Sequence, residues 1–433
     1  MLKHHLSLIG LLAVATVAAQ TREVWTYQDC VDYAREHNIS LQQSQLAEQR
    51  TDYSVEAAKA QWEPTLDFGT SHAFSNSIWG EGKHNTLGGN FSLNAGWNVY
   101  NGGIRSNTIK LNRKQSEIDA LATSDLFRTI ETDILTVYLN ILYAQESIAI
   151  YEETVQLSKA QTDRARQLME AGTLSRVDYT QLLAQLEQDN YSLVNAKSQY
   201  ATRRMELKKL LQLGLTDSIT PATVHWPEAE VLAPLPPIEE SYAMAIDTDL
   251  QLKSLSLRKE AADLNIAIAK AGRAPRIDLN AGVSTAYAVP ADNFGKQLRN
   301  SLSEQIGISF SLPIFDQKKT KVAVAQANID KMGIELDTDQ RLLDLSQTIE
   351  TWYVDVREAQ SRYTAAIEQE KSASLSNTLV NERFTLGLVN PVELLTAHNN
   401  LLEARHALLQ AKYMTLLGRK MIDFYRTASI ALP

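Results

Sequence analysis

A single cysteine, Cys30, stands in the whole chain, so no intramolecular disulfide framework holds it together. Its setting reads as that of an inert, half-buried helix residue. Past residue 20 there is no run of about twenty uncharged apolar residues, which excludes a transmembrane helix there. A basic excess is missing too. The formal net charge is −9, and an acidic surface repels phosphates, so no nucleic-acid partner is expected. At 44% hydrophobic and 21% charged residues, the chain is neither disordered nor a polytopic helical membrane protein. There is no nucleophile elbow, phosphate loop or paired-histidine motif. His398 and His406 stand eight apart without a supporting Cys or carboxylate set, and the seven methionines are scattered. No catalytic residue, metal or cofactor is expected, and the chain does not read as an enzyme.

What is present begins with a targeting segment. Lys3 and two histidines precede the apolar run Leu6 to Val17, which ends in Val17-Ala18-Ala19. Small residues at the first and third of these positions fit a signal peptide over residues 1–19, cut before Gln20. No cysteine sits at the cut, so no lipid anchor is expected there.

The most informative feature is an internal repeat. A shift of 211 residues places Asn38 on Asp249, Leu41 on Leu252, Lys59 on Lys270 and Pro64 on Pro275. A shift of 215 then places Phe91 on Ile306, Leu93 on Ile308, Trp97 on Leu312, Asn101 on Asp316 and Gly172 on Gly387. Repeat 1 is read over residues 20–212 and repeat 2 over 242–433. Between them lies a proline-rich, irregular connecting segment at 213–241.

Each unit reads helix, strand, strand, long helix, long helix. The first helix runs roughly from Ser40 to Trp62, and its copy from Asp249 to Arg273; a proline follows each. Strands are expected at 64–78, 86–100, 275–289 and 303–314. Phe91 to Val99 and Ile306 to Leu312 alternate apolar with polar, giving one greasy and one wet face. The loops within the pairs, around Gly80 to Gly89 and Val289 to Asn300, are rich in Gly, Asn and charge. Long helices are expected at 102–172, 175–212, 316–386 and 390–426. Between Gly103 and Gly172 there is neither Gly nor Pro. At 1.5 Å per residue, helices of about 70 residues reach about 100 Å and need neighbours along their length. In the last helix Leu395, Leu402, Leu409 and Leu416 recur every seven residues, as do Ala397, Ala404, Ala411 and Gly418. That period favours a supercoil with close approach.

Four alternating strands in an exported chain suggest an outer-membrane barrel. Four cannot enclose a lumen, and an open edge in lipid leaves backbone groups unsatisfied, so the barrel must be shared between copies. Phe91, Leu93, Trp97, Ile306, Ile308 and Phe310 are the expected lipid-facing side chains. A soluble periplasmic coiled-coil adaptor or scaffold is the competing reading; it accounts for the helices and leaves the strands unexplained.

The strand-to-helix junctions, Trp97-Asn98-Val99-Tyr100-Asn101-Gly102-Gly103-Ile104-Arg105 and Leu312-Pro313-Ile314-Phe315-Asp316-Gln317-Lys318-Lys319, resemble the apolar-Pro-apolar-Phe-Asp-Gly-Gly-Arg pattern of the TolC-like outer-membrane efflux proteins, the outer membrane factors. The second junction has Gln317 and Lys318 where the pattern has glycines. The resemblance covers nearly the whole chain after residue 19. It implies a mainly α fold with a transmembrane β-barrel portion: a homotrimer with a twelve-stranded barrel above a periplasmic α-helical tunnel. It further implies an outer-membrane location, a periplasmic adaptor and an inner-membrane pump as partners, outer-membrane lipid around the barrel, and passive export of small molecules or peptides.

The long helices turn at Ala171 to Asp178 and at Leu386 to Glu393. Gly172 and Gly387 are expected to end one helix and Ser175 and Asn390 to cap the next, with Pro391 at its first position and Asp178 or Glu393 closing a capping box. In the family these turns form the periplasmic mouth. The resemblance therefore makes Glu393, Thr396 and Asp178 candidates for the periplasmic gate, with Glu393 forming a ring of three like charges. Phe384 and Val389 stand where another member has polar locking partners. The tips, Gly172, Thr173, Leu174, Gly387, Leu388 and Val389, are candidates for adaptor docking, with Leu174, Leu388 and Val389 expected to be exposed.

Overall fold

The computed structural model describes residues 24–76, 79, 85–289 and 293–432. The expected signal segment 1–19 and parts of both strand-connecting loops lie outside the described residues.

The chain opens with two helices where one was expected. α1 (Tyr27–His37) starts in a full capping box: Thr26 Oγ1 accepts from the Asp29 N–H at 3.1 Å, and the Asp29 carboxylate accepts from the Thr26 N–H at 3.0 Å. Asn38 ends α1 in an extended conformation (φ −66°, ψ 119°), and its Oδ1 caps α2 (Ile39–Ala60) by accepting from Leu41 N–H. The copy repeats the device. Asp249 (φ −63°, ψ 119°) separates α6 (Ile238–Thr248) from α7 (Leu250–Lys270) and accepts from Leu252 N–H at 2.7 Å. One extended capping residue interrupts each helical run, and α6 begins inside the proline-rich stretch read as irregular. That stretch also holds the single turn α5 (Glu228–Val231).

β1 (Thr65–Asn76) and β2 (Asn85–Tyr100) follow α2; β3 (Arg276–Val289) and β4 (Ser303–Ser311) follow α7 and a short 3₁₀ turn. They form one antiparallel meander in the order β1-β2-β3-β4. β4 stops at Ser311, short of the expected residue 314, because Pro313 has no N–H to continue a ladder. The loop before it is not wholly irregular: α8 (Phe294–Asn300) is capped by Asn293.

α3 (Ile104–Glu170) and α9 (Lys319–Thr385) each run 67 residues, or about 100 Å. They are paired with α4 (Arg176–Leu210) and α10 (Pro391–Thr427). The seven-residue stripe of small side chains in α10, Ala397, Ala404, Ala411 and Gly418, is buried. A Cβ on Gly418 would stand 2.4 Å from Val356 Cγ2 of α9, so this crossing requires glycine.

The main core joins α1, the middle of α3, the upper part of α10 and the connecting segment, around Cys30, Ile134, Tyr138, Leu142, Tyr413 and Leu416. Cys30 is fully buried there rather than half-buried, and burial pushes its thiol up to about 12. Outside α5 and the start of α6 the connecting segment lacks regular structure, and helix side chains meet its carbonyls. Tyr138 donates to Ala222, and to Trp25 just before α1; Gln360 donates to Val231 and Ala233, and Arg419 to Ala233.

Candidate functional site

The sheet carries two unlike faces. Directly paired residues of an antiparallel ladder point the same way. Phe68 pairs with Leu93 and Leu93 with Val283; Leu279 pairs with Trp97 and Ile308; Ala281 pairs with Ala95 and Ile306; Ile277 pairs with Phe310. These residues form one apolar face that includes Phe91, Leu93, Trp97, Ile306, Ile308 and Phe310. The adjacent rows are polar or small: Asp67–Asn94–Gly282–Gln305 and Thr65–Gly96–Asn280–Gly307. His72, Phe91, Tyr287 and Phe294 make an aromatic group at the loop end of the apolar face, with the Tyr287 hydroxyl 2.8 Å from His72 Nδ1. At the opposite end, toward the helices, stand Trp97 and Tyr100. β1 and β4 each have one neighbour, so both outer edges of the sheet are open.

The strand-to-helix corners have the same backbone in both halves. Gly102 and Gly103 lie at φ +70° and +86°; Gln317 and Lys318 adopt φ +53° and +67° in the corresponding places. Glycine is compulsory at 102, where a Cβ would meet Ala274 Cβ at 2.2 Å. In the second corner the Asp316 carboxylate accepts from the N–H groups of Lys318 (3.1 Å) and Thr320 (2.9 Å), holding the left-handed turn without glycine. Hydrogen bonds from the Thr320 side chain and backbone, with smaller help from Arg273 and the Lys318 N–H, outweigh burial and keep the Asp316 carboxyl below the usual carboxylate range. Arg105 fixes the first corner. It is buried, donates to Gln61 O (2.9 Å) and Asn98 Oδ1 (2.8 Å), and its guanidinium lies 4.0 Å from the Trp62 ring centroid.

At the far end of the molecule the two helical turns are alike. Gly172 and Gly387 take φ +78° and +72°. Thr173 N–H reaches Leu168 O and Gly172 N–H reaches Met169 O; Leu388 and Gly387 make the same pair of bonds to Arg383 and Phe384. This is the Schellman closure expected for a glycine after the helix. Ser175 and Asn390 cap α4 and α10, accepting from Asp178 N–H (3.1 Å) and Glu393 N–H (2.9 Å), with Pro391 at the first position. The reciprocal half of the capping box is absent. The Asp178 carboxylate accepts from the Ser175 hydroxyl (2.8 Å), and Glu393 turns to Arg383 (3.4 Å). Each carboxylate takes another donor, the Ser175 hydroxyl or the Arg383 guanidinium.

Glu393 thus has a cationic partner in its own chain. Thr396 is exposed and donates its hydroxyl to Val392 O. Both belong to an exposed stripe of α10 at alternating three- and four-residue spacing: Glu393, Thr396, Asn400, Glu403, Ala407, Gln410 and Met414. Leu174 and Val389 are not the exposed tip residues expected. They pack on the cluster of Ala165, Leu182, Phe384 and Leu394 that closes the tip. Leu388 is exposed at 65%; Leu386 and Val392 of the same turn and Val177 of the other are also exposed, and sequence reading did not single them out.

Sequence reading also missed a polar cross-link inside the bundle. His398 Nε2 of α10 lies 3.1 Å from Asp189 Oδ2 of α4, both side chains being 2% exposed. Asp189 further accepts from Ser158 Oγ of α3 and from Gln185 Nε2 at 2.9 Å. Burial raises the Asp189 carboxyl, but the bonds from His398, Ser158 and Gln185 outweigh it and hold it below the usual range. A Ser–His–Asp set is no hydrolytic triad when one imidazole nitrogen faces both partners and solvent is excluded. Asp189 and His398 are 209 positions apart, and no local pattern joins them.

A two-faced sheet continuous with a helical bundle of about 100 Å, ending in paired capped turns, is the protomer of an outer-membrane duct. The family model described as outer membrane efflux protein matches residues 30–212 and 242–418, and the chain belongs to that family. Among curated relatives, it is 21% identical over 413 residues to Protein CyaE of Bordetella pertussis, covering 91% of this chain and 85% of that one. It is 22% identical over 394 residues to Outer membrane protein TolC of Escherichia coli, covering 89% and 79%. Among solved structures, CusC superposes with a TM-score of 0.82 at 17% identity (94% and 92% covered), and the Vibrio cholerae outer membrane protein VceC with 0.74 at 15% (92% and 95% covered). The chain is an outer-membrane exit channel of the efflux and secretion type, with its helical tunnel in the periplasm.

Proposed function

We propose that three copies of this chain form the duct of a tripartite machine that passes small molecules or peptides from an inner-membrane pump to the outside. The observation that carries the reading is the sheet: four strands, one apolar face, one polar face and two open edges. Joining β4 of one copy to β1 of the next, three times, gives twelve strands and no edge in lipid. The apolar face with Phe91, Leu93, Trp97, Ile306, Ile308 and Phe310 then meets lipid, and the polar rows line the lumen.

The helices support the same closure. The ring order is α2, α3, α7, α9, with α2 and α9 at the outer sides. Each carries exposed apolar residues at heptad spacing: Ile39, Leu46 and Tyr53 on α2; Val322, Ile329, Met332, Leu336 and Leu343 on α9. Such stripes match a coiled-coil seam between copies. A periplasmic coiled-coil scaffold has no use for a membrane-height apolar sheet.

The capped turns are the periplasmic mouth in this reading. Glu393, Thr396 and Asp178 line its inner rim, and the tips around Gly172, Thr173, Gly387 and Leu388 receive the helical hairpins of an adaptor. A photo-crosslinking residue at Leu388 tests this in cells. The expected product is a covalent adduct with a periplasmic adaptor, identified by mass spectrometry, and none from the same probe at Leu174. Adducts confined to copies of this chain would place adaptor docking elsewhere.

A further inference from the structure

The long hairpins repeat at a distance of 215 residues: Gly172 falls on Gly387, α3 on α9 and α4 on α10. One interface joins the two hairpins inside the chain, where α10 lies along α3. The rings of His406 and Tyr151 are 4.6 Å apart, and Tyr413 meets Tyr143 edge-on at 6.0 Å. Lys412 and the Tyr413 hydroxyl reach Glu146 of α3. Leu409 and Tyr413 are each 6% exposed, and Ser147 and Thr154 on the facing flank of α3 are buried as well.

A shift of 215 carries this interface to the two outer flanks of the protomer. There, among the described residues, no helix of the same chain covers it. Tyr191 and Val194 of α4 take the positions of His406 and Leu409, and they are 69% and 67% exposed. Leu183 and Met205 extend the same stripe of α4 and are exposed too. On α9, Arg362 and Gln369 take the positions of Ser147 and Thr154, and both are exposed. Where α3 has Ile150 and Tyr151, α9 has Ala365 and Ala366, and a cavity of about 420 Å³ opens there between α9 and α10. One flank therefore presents a projecting apolar stripe and the other a space to receive it.

We propose that Tyr191 of one copy fills the α9/α10 cavity of the next, so that α4 lies on a neighbour's α9 as α10 lies on α3 within the chain. The inference rests on the shared-channel reading and identifies the partner surface as a second copy of this chain. Side-chain size selects the flank. Set on α3, α4 would drive Tyr191 against Tyr151; set on α9, it meets Ala366 as a knob meets a hole. The same shift replaces the Arg405–Glu153 pair with Asn190 and Glu368, and Lys412–Glu146 with Lys197 and Ser361. Packing thus does between copies what packing and ion pairs do together within one. The two flanks differ, so the contact runs head to tail and is satisfied throughout only in a closed ring.

The test uses the full chain extracted from the outer membrane in detergent. Cys30 is fully buried and stays in place. By the equivalence to Tyr413 and Tyr143, Ser198 stands opposite Glu358 of the neighbour. Ser198→Cys with Glu358→Cys, both at exposed positions, is expected to give a covalent trimer with a short bis-thiol reagent. Ser198→Cys with Ser372→Cys, about 21 Å further along α9, is expected to give none. Ala365→Trp fills the cavity from an exposed position, and Tyr191→Ala removes the knob. Each is expected to lower the trimer-to-monomer ratio after heating about tenfold. Together they are expected to restore it, because the new indole occupies the space the phenol left. Cross-linking only through Ser372→Cys, or losses that add with no rescue in the double variant, would overturn the proposal. So would an intact trimer that the Glu358→Cys pair never cross-links and neither substitution weakens; the shared channel would then stand without this seam. A native protein that is monomeric by native mass spectrometry would remove the channel reading as well.

Discussion

Single residues decide where this chain permits no substitute. Gly418 is the plainest case, because Val356 of α9 already occupies the space of a side chain. Gly418→Ala gains about 1 kcal/mol of helix propensity, but a clash at 2.4 Å costs about 1–3 kcal/mol in overpacking. The variant is expected to melt lower than the native protein, and Val356→Ala added to it is expected to cost less than the two changes summed. A higher melting temperature for Gly418→Ala alone would show that α9 yields at this crossing. The heptad of small residues ending at Gly418 was legible in the sequence, because it recurs on one helix. The Asp189–His398 pair was not, because its partners are brought together only by the folding of two hairpins. Arg105 stood inside a recognisable motif, yet its stacking on Trp62 depends on where α2 ends, which no motif states.

Elements were legible in proportion to their regularity. Long stretches without Gly or Pro gave α3 and most of α9, and alternation gave the strands. α1 and α6 escaped because one extended residue, Asn38 or Asp249, splits each helical run, and because α6 begins among prolines. At the tip, caps and closing glycines followed from residue type, while Leu174 and Val389 turn inward onto a cluster built from both hairpins, Ala165 and Leu182 of one and Phe384 and Leu394 of the other. The strands yield a direct test of the apolar face. Leu93→Arg puts a charge at mid-strand, at a cost of about 2–4 kcal/mol per copy if the residue meets lipid near the midplane. Loss of outer-membrane assembly is expected; native levels of membrane-embedded protein would mean that the face is covered by protein.

The tip helices give a second test. Glu393 and Arg383 lie 3.4 Å apart and both are largely exposed, so their mutual stabilisation is small. Their effect on ions near a narrow mouth is another matter. If the proposed trimer places these residues around its axis, Glu393→Gln leaves three uncompensated arginines there and is expected to reduce cation selectivity and divalent block. Arg383→Gln is expected to do the opposite, with assembly unchanged in both. Equal selectivity across all three proteins in bilayer recordings would mean that other residues set the constriction.

At the scale of the whole molecule, the doubled sequence implies a doubled protomer, and the open sheet implies that the protomer is not the finished object. In the proposed trimer, three chains supply the missing partners for β1, β4, α2 and α9, and convert a two-faced sheet into a lipid-coated wall around a wet lumen. The number three is the part that pairing rules alone leave open, since any closed ring satisfies the edges. Native mass spectrometry of the detergent-extracted protein measures it. A single species at three times the mass of the processed chain, dissociating without a stable dimer, is the expected result. A stable monomer, or a ring of another size, would contradict the shared twelve-stranded barrel on which the channel reading stands.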